Sequence, residues 1–492
     1  MIVAKVRTRS EKPDMLGLVA ILVLAELSAS YESSMIYAAL PHFFREFRDA
    51  TGVGWLVTSY LLTSAAFAAI CGRLGDTYGR ARLLAIMLAI SAAGSLLSAN
   101  SGNLLGIAIG RSLQGSAGAI LPLCFGLARR LLPARFISMG VGILAGTSAL
   151  GAAVGFLAGA LLIDRAPWQW IFIMSAGLSF AGLACVIFVF PRDAPSNRAK
   201  APLDVVGGAM FLPGLFGVLL AMTNSFKWGW LDARNLTLLA ASLVGLLVWL
   251  RYELAHRNPL IDVRLLGRRE VLVVNGVMAL CALSGMQVTQ VLTLLIQQPR
   301  WTVVGLGASA TFFALIKMPA YFSGMLGSPA SGYLAERFDG RRTTQLSTVV
   351  LALGMTALFV DHVSPVLLIL FGAIAQFGVS MILAAVPNVI ISVAPEEKIS
   401  EATGLSVVIR SVFMGTGSQI VFLGLATSMV APPSGQGPSY PSSSAYWFVF
   451  MIMACCAWLS VLLASVLPAR LNRRESQEVT VSVAQGAREG WP

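Results

Sequence analysis

The chain has 492 residues, of which 57% are hydrophobic and 12% are charged, and its mean hydropathy is +0.77. This composition excludes water-soluble domains of such a size, because too little polar surface is present to cover them, and it predicts that the solvent is largely lipid. The net charge of +12 lies in short basic patches between apolar runs, which membrane orientation explains better than nucleic acid binding. We therefore expect no nucleic acid partner.

Long apolar runs along the chain predict an all-α membrane protein. Most runs have about eighteen residues or more, which suits helices that cross about 30 Å of hydrocarbon. The 47 glycines suit helices that pack closely through small residues. The first run is too long for the core of a signal peptide, so we keep it as mature structure. The fourteen predicted spans cover residues 15–40, 53–71, 83–99, 103–128, 136–163, 170–190, 204–223, 235–250, 271–296, 303–335, 343–361, 365–394, 402–429 and 445–468.

Basic residues predict the orientation of these spans. If the N-terminus is cytoplasmic, 26 of the 35 basic residues fall in cytoplasmic segments, six fall outside and three fall within spans. This bias predicts cytoplasmic termini and an even number of spans. We expect the chain to lie in the plasma (inner) membrane. The Pro-, Ser- and Gly-rich loop 431–444 is then external, and we expect it to be flexible.

An internal repeat divides the chain into two halves. The segment Gly72-Arg-Leu-Gly-Asp76-Thr-Tyr-Gly79-Arg80-Ala-Arg82 resembles Gly332-Tyr-Leu-Ala-Glu336-Arg-Phe-Asp-Gly340-Arg341-Arg342, and each copy follows the second span of a six-span group. Weak internal symmetry is typical of secondary transporters, whose two bundles move about a central site. We predict an N-terminal six-helix bundle (1–191), a linker with two inserted transmembrane helices (192–270), a C-terminal six-helix bundle (271–470) and a disordered cytoplasmic tail (471–492).

The first copy of the repeat resembles the signature loop between helices two and three of the major facilitator superfamily, G-x-L-a-D-x-x-G-R-[KR]. Other segments resemble motifs of its fourteen-span drug:proton antiporter family: Tyr31-Glu-Ser-Ser-Met-Ile-Tyr-Ala-Ala-Leu-Pro41, Gly110-Arg111-Ser-Leu-Gln114-Gly115, Pro167-Trp-Gln-Trp-Ile-Phe172 and Asn258-Pro-Leu-Ile-Asp262. The resemblance implies the major facilitator fold, two six-helix bundles plus two inserted helices.

The same resemblance implies a small-molecule substrate, protons as the coupling ion and a monomer surrounded by membrane lipids. It also implies a conformational gate, for which the candidate residues are Gly72, Asp76, Gly79, Arg80, Glu336 and Arg341. Glycine permits the tight turn that such a loop needs. The alternative interpretation is a basic hairpin that only fixes orientation in the membrane.

The chain departs from the family pattern in three places. Glu32 replaces the usual Asp of the first helix, and Gln169 replaces an Arg at the start of helix six. The fifth-helix motif, normally ending G-P-x-x-G-G, lacks its proline here. Glycines at helical spacing remain in that helix and predict close packing or sliding against a neighbour, although structural packing alone would account for them; the candidates are Gly151, Gly155 and Gly159.

Charged residues within the spans are the strongest functional candidates, because a charge near the bilayer centre costs at least about 2.5 kcal/mol on insertion scales. Glu26 and Glu32 are the proton-coupling candidates, and they lie about 120° apart on one helix, so only one is expected to face a cavity. The alternative for Glu32 is a structural acid satisfied by the hydroxyls of Ser33 and Ser34. The substrate-cavity candidates are Arg111, Gln114, Lys317 and Arg410, of which the last two could equally be structural.

These patterns exclude some functions and leave two open. The chain has no G-x-x-x-x-G-K-[ST] phosphate loop, and its histidines do not cluster with acids, so we expect neither an enzyme nor an ATP-driven pump. No C-x-x-C pair occurs, and the three histidines fall one per predicted loop, so we expect no metal and no cofactor. Proton-coupled export of amphipathic or lipophilic compounds is favoured, and facilitated import or proton symport of one polar metabolite is the alternative.

Overall fold

The computed structural model describes residues 15–190, 205–229, 231–256, 263–361, 364–393, 399–433 and 438–468, most of which are helical. Residues 191–204, with which the predicted linker begins, the predicted tail and the Asn258–Asp262 motif lie outside the described residues. Within the described ranges the helices are α1 (Met15–Phe47), α2 (Ala50–Tyr78), α3 (Arg80–Asn100), α4 (Leu104–Gln114), α5 (Ile120–Leu131), α6 (Ala134–Arg165), α7 (Gln169–Val189), α8 (Val205–Trp228), α9 (Ala233–Ala255), α10 (Arg269–Leu283), α11 (Val288–Gln297), α12 (Ala310–Ile316), α13 (Met318–Arg337), α14 (Gly340–Val360), α15 (Pro365–Val393), α16 (Ile399–Ala426) and α17 (Ser443–Ser465).

Three pairs of these helices continue one another as single rods. A 3-10 turn (Gly115–Ala119) joins α4 to α5, a second (Gly285–Gln287) joins α10 to α11, and α12 meets α13 at Lys317. Eleven helices in the described part of the chain are long and apolar enough to cross a membrane. The prediction of an all-α, multi-pass membrane protein is therefore confirmed. Helix α2, helix α8 and the α12–α13 rod are not among the eleven, so the count of fourteen spans stays a prediction.

The tenth predicted span begins later than the apolar run indicates. Residues 303–309 form a loop in which Val303 and Gly307 have φ angles of 71° and 61°, a left-handed conformation that interrupts a helix. Helix α12 begins at Ala310, and the hydroxyl of Ser309 accepts a hydrogen bond from the backbone N–H of Phe312 at 3.1 Å. The prediction of a span over 303–335 was wrong at its start, because apolar residues continue into the loop.

The predicted flexible loop 431–444 is bounded by a short antiparallel hairpin. Strand β1 (Met429–Val430) pairs with β2 (Tyr440–Pro441), and Ser442 caps α17. The side-chain amide of Gln298 donates to the carbonyl oxygen of Pro441 at 2.7 Å, and the Tyr446 hydroxyl donates to the Gln298 carbonyl oxygen at 2.8 Å. These bonds fix the C-terminal end of the loop against α11.

The helices form two groups that meet along two seams. In the first group α1 packs on α6 and α7, and α3 packs on α4 and α7; in the second, α15 packs on α13 and α14, and α14 packs on α17. The first seam is the contact of α2 with α16, and the second joins α6 to α12 and α1 to α11. We call the end that carries the α1–α2 turn the outer end, following the predicted orientation.

Apolar packing joins the two groups at the outer end. One buried apolar cluster unites the outer half of the first group, around Phe43 and Phe156, with the second group. A separate cluster fills the inner half of the first group, around Leu22 and Leu88. Asp164, at the outer end of α6, also accepts hydrogen bonds from the backbone N–H groups of Ala310 at 3.2 Å and Thr311 at 2.7 Å, which caps α12 across the second seam.

Helices α8 and α9 pack against each other and lie outside the first seam. Helix α8 contacts both α2 and α16. The rings of Trp55 on α2 and Phe216 on α8 stack with centroids 5.8 Å apart, and Phe211 packs on Trp249 of α9 at 4.6 Å. Helix α8 therefore covers the α2–α16 seam, and α9 packs against α8.

Candidate functional site

Glu32 lies fully buried on α1 and faces two neighbouring helices, α3 and α7. Its Oε1 atom accepts hydrogen bonds from the hydroxyls of Ser175 and Ser179, both at 2.9 Å, and from Ser91. Within the described residues, its Oε2 atom has no hydrogen-bond partner. The carboxyl group is thus held at one oxygen by three hydroxyls and is unbound at the other.

The alternative interpretation of Glu32 named the wrong hydroxyls, because Ser33 and Ser34 do not bind its carboxyl group. Both hydroxyls donate instead to the backbone carbonyl oxygen of Ser30, at 2.8 and 2.9 Å. Residues one or two positions apart on a helix point in different directions, so these neighbours cannot reach the Glu32 carboxyl group. The actual donors come from other helices: Ser91 on α3, and Ser175 and Ser179, four residues apart, on α7.

Arg111 is fully buried on α4 and binds backbone carbonyls rather than a carboxylate. Its Nε–H donates to the Leu56 carbonyl oxygen at 2.9 Å, and its Nη1 group donates to the Glu32 backbone carbonyl oxygen at 3.0 Å. The guanidinium carbon lies 4.2 Å from the ring centroid of Tyr60. Arg111 therefore ties α4 to α1 and α2 while leaving the Glu32 carboxyl group without a paired cation in the described part of the chain.

Gln114 connects Arg111 to the hydroxyls around Glu32. It accepts from Arg111 Nη1 at 3.0 Å and donates from Nε2 to Ser95 at 2.7 Å and to Ser175 at 3.2 Å. Arg111 and Gln114, one turn apart on α4, therefore share one face of that helix. Sequence reasoning missed the serines, although Ser91 and Ser95 on α3, and Ser175 and Ser179 on α7, form a polar stripe on otherwise apolar helices.

Glu26 lies one and a half turns before Glu32 and occupies a different environment. It is 3% exposed, and its Oε1 atom accepts a hydrogen bond from the Ser30 hydroxyl at 3.0 Å. Its Oε2 atom has no partner among the described residues. The two acids share none of these hydrogen-bond donors, in keeping with the expected separation around α1.

Lys317 lies at the joint between α12 and α13, where the two groups of helices touch. Its side chain is 7% exposed, and its ammonium group donates to the hydroxyl of Thr289 on α11. The Nζ atom lies 5.0 Å from the ring centroids of both Phe156, on α6, and Tyr321. A small pocket beside it is lined by residues of α11, α12, α13 and α15.

Arg410, on α16, is partly buried near Cys281 and takes no part in this arrangement.

The candidate gate is described only in part, because the surroundings of Gly72 and the side chains of Asp76 and Glu336 lie outside what the structure describes. Gly79 separates α2 from α3 with a φ of 94°, which a residue with a side chain rarely adopts. The Arg80 guanidinium lies directly over Gly126 of α5, where an added Cβ would come within 2.2 Å of it. In the second copy, Arg341 donates to the Ser465 carbonyl oxygen at 3.1 Å.

The glycine stripe of α6 packs on α1. A Cβ added at Gly151, Gly155 or Gly159 would lie 2.8, 2.5 or 3.1 Å from the nearest atom of α1. The closest of these atoms, at Gly155, is the hydroxyl oxygen of Ser34. The contact lies within the first group of helices, on the helix that carries Glu32.

Comparison with known proteins agrees with this architecture. The family model described as Major Facilitator Superfamily matches residues 22–418. An uncharacterized transporter of Escherichia coli (strain K12), YebQ, is 25% identical over 91% of this chain and 96% of its own length. The tetracenomycin C resistance and export protein of Streptomyces glaucescens is 25% identical over 84% of this chain and 75% of its own length.

Solved structures of transporters share the fold. The nucleoside transporter NupG, in a mutant form, superposes with a TM-score of 0.66 at 13% identity, covering 91% of this chain and 99% of its own. The xylose transporter XylE from E. coli, in an inward-open conformation, superposes with a TM-score of 0.60 at 14% identity, covering 92% and 96%. At such low identity the likeness shows the fold alone.

Proposed function

The chain belongs to the Major Facilitator Superfamily, and from that premise we propose that it exports amphipathic or lipophilic compounds across the plasma membrane in exchange for protons. It is a multi-pass membrane transporter, and no catalytic activity is assigned to it. The proposal includes fourteen spans, cytoplasmic termini and alternating access between the two six-helix bundles. Relatives named for drug resistance and export support the direction of transport.

The environment of Glu32 is the observation that carries proton coupling. A carboxylate paired with a buried cation is held in its charged form, whereas burial without a paired cation favours the neutral acid. Three hydroxyls surround one oxygen of Glu32. Hydroxyls can donate to a carboxylate or accept from a carboxylic acid, so the same cage accommodates both protonation states. We therefore assign the coupling proton to Glu32 rather than to Glu26.

The remaining candidate residues have supporting roles in this proposal. Arg111 and Gln114 hold the serine cage in place by tying α4 to α1, α2, α3 and α7. Gly79 and Arg80 form part of the cytoplasmic gate together with Asp76, Glu336 and Arg341. The glycines of α6 allow α1, which bears the acid, to pack closely or to slide when the bundles move.

Transport into inverted membrane vesicles tests the function. Vesicles that contain the protein should accumulate an exported compound when their lumen is made acidic, and collapse of the pH gradient should stop the accumulation. A panel of lipophilic cations, anions and neutral compounds is compared with polar metabolites such as sugars and nucleosides, with vesicles lacking the protein as control. Equilibration of one polar metabolite regardless of the gradient would support the alternative, a facilitator.

A further inference from the structure

We propose that Lys317 is a recognition point for the anionic group of an otherwise apolar substrate, such as the carboxylate of an amphipathic organic acid. The inference rests on the proposed export function and names its substrate class. It follows from three properties of Lys317, namely its burial without a paired anion, its incomplete set of partners and the chemistry of the surface around it, together with its position between the bundles.

The first property is that the Lys317 ammonium group is buried without a paired anion. Its side chain is 7% exposed, and within the described residues no carboxylate lies within ion-pair distance of it. A buried charge is costly unless it is paired and hydrogen-bonded. A lysine that served only the fold would be expected to have an acid beside it.

The second property is the partner set of this ammonium group. An ammonium has three N–H donors, and the described partners of Lys317 are the Thr289 hydroxyl and the faces of Phe156 and Tyr321. Arg111, the buried cation of the first bundle, is bound to two backbone carbonyls and to Gln114, and among the described residues its Nη2 group alone has no partner. Lys317 therefore retains donor capacity that an incoming oxyanion can use.

The third property is the chemistry of the surrounding surface. The pocket beside Lys317 is mostly apolar, and Thr289 and Gln376 supply its polar side chains; its apolar lining includes Leu292, Ile296, Phe313 and Leu368. Because such a lining favours an apolar body, a single cation within it selects a ligand that is apolar with one negative group. A polar metabolite with many hydroxyls would leave most of them unpaired here.

The position of Lys317 connects this recognition to transport. Phe156 belongs to α6 of the first bundle, whereas Thr289 belongs to α11 of the second. A ligand bound at Lys317 therefore contacts the second seam, where Phe156 packs on Phe313 with ring centroids 5.7 Å apart. When the bundles separate along this seam, the surroundings of the ammonium group change, and with them its affinity for an anion.

Calorimetric binding to the purified full-length protein tests the inference. The probes are matched pairs, 2-naphthoate with 2-naphthamide and decanoate with decanamide. We expect the wild-type protein to prefer each carboxylate to its amide by about tenfold or more. Lys317→Met should abolish this preference without weakening amide binding, and Lys317→Arg should retain it. Arg410→Met, which removes another cation of the second bundle, should also retain it.

Two results overturn the inference: a wild-type protein with no preference for carboxylates, or a preference that persists in Lys317→Met. If Lys317→Met does not fold, Lys317→Gln provides the neutral variant, and loss of preference there supports the inference in the same way. Transport into vesicles tests the export proposal separately. Gradient-driven export restricted to neutral or cationic compounds retains that proposal and overturns the anion site, whereas carboxylate binding without gradient-driven transport does the opposite.

Discussion

The two bundles each bury a charged centre, and the two centres are built differently. In the first bundle, Glu32 sits in a cage of side chains from α3 and α7, which Gln114 and Arg111 extend to α4. In the second, Lys317 has one hydroxyl partner, on α11, and two aromatic rings. A connected network fixes its charge in one geometry, whereas a sparsely bound charge remains available to a ligand. This difference is what we expect if the first centre carries the proposed proton and the second binds the proposed anion.

Replacing Glu32 by a neutral residue should produce the largest loss of transport. Glu32→Gln mimics the protonated acid at nearly constant shape, so we expect binding of a neutral substrate to survive and gradient-driven export to fall to background. Proton release on substrate addition should disappear in the same variant. Substrate binding and proton release are measured in purified protein, and gradient-driven export is measured in inverted vesicles.

Glu26→Gln is the matched control, because it removes a second buried acid from the same helix. We expect it to reduce export far less than Glu32→Gln does. If Glu26→Gln is inactive and Glu32→Gln still exports against a gradient, the coupling proton belongs to Glu26. Full activity of both variants would remove proton coupling from this bundle altogether.

Replacing Arg111 by lysine tests whether the first centre also stabilises the fold. Lysine cannot reproduce the fixed fork with which Arg111 binds two carbonyls and Gln114. We expect Arg111→Lys to lower the free energy of unfolding by about 3 kcal/mol, since hydrogen bonds to charged groups contribute about 1.5–3 kcal/mol each. Thermal unfolding in detergent measures the loss.

The comparison with the second centre makes this measurement informative. Lys317→Met removes a buried cation that few protein groups bind, and apolar replacement of buried charge is often neutral or stabilising. Its melting temperature should therefore stay close to that of the wild-type protein. An equal loss of stability in Arg111→Lys and Lys317→Met would mean that the two centres do not differ in the way proposed.

Removal of a single hydroxyl should cost less stability than Arg111→Lys does, and the cost should differ between the centres. Thr289→Val takes away the oxygen that Lys317 binds, which we expect to cost about 2 kcal/mol of stability, recovered when 2-naphthoate binds. Ser179→Ala leaves Ser91 and Ser175 on Glu32 and should cost about 1 kcal/mol. Thermal shift with and without the probe distinguishes them. Recovery by the neutral amide as well would contradict the charge-based explanation.

The sequence predicts the helical rods well and the polar partners poorly. Apolar runs place most helices within a few residues, as at α14, which was expected over 343–361 and spans Gly340–Val360. Periodicity also places Arg111 and Gln114 on one face, because residues three apart are neighbours on a helix. It cannot say which helix lies opposite Glu32. The serine donors are therefore found only in the folded structure, where α1 packs against α7 and Ser91 of α3 donates to Glu32.

The placement of α8 has a consequence for how compounds enter from the bilayer. Helix α8 lies against the α2–α16 seam, whereas Phe312 and Leu315 of α12, which ends beside Lys317, are 54% and 53% exposed. If Lys317 is the proposed anion site, we expect compounds to approach it from the lipid beside α12. Lipophilic acids concentrate in the bilayer before they reach such a path. Apparent affinity should then follow the membrane–water partition coefficient of the compound. Of two acids that the protein binds equally well, the one that partitions more strongly into the bilayer should saturate transport at the lower aqueous concentration.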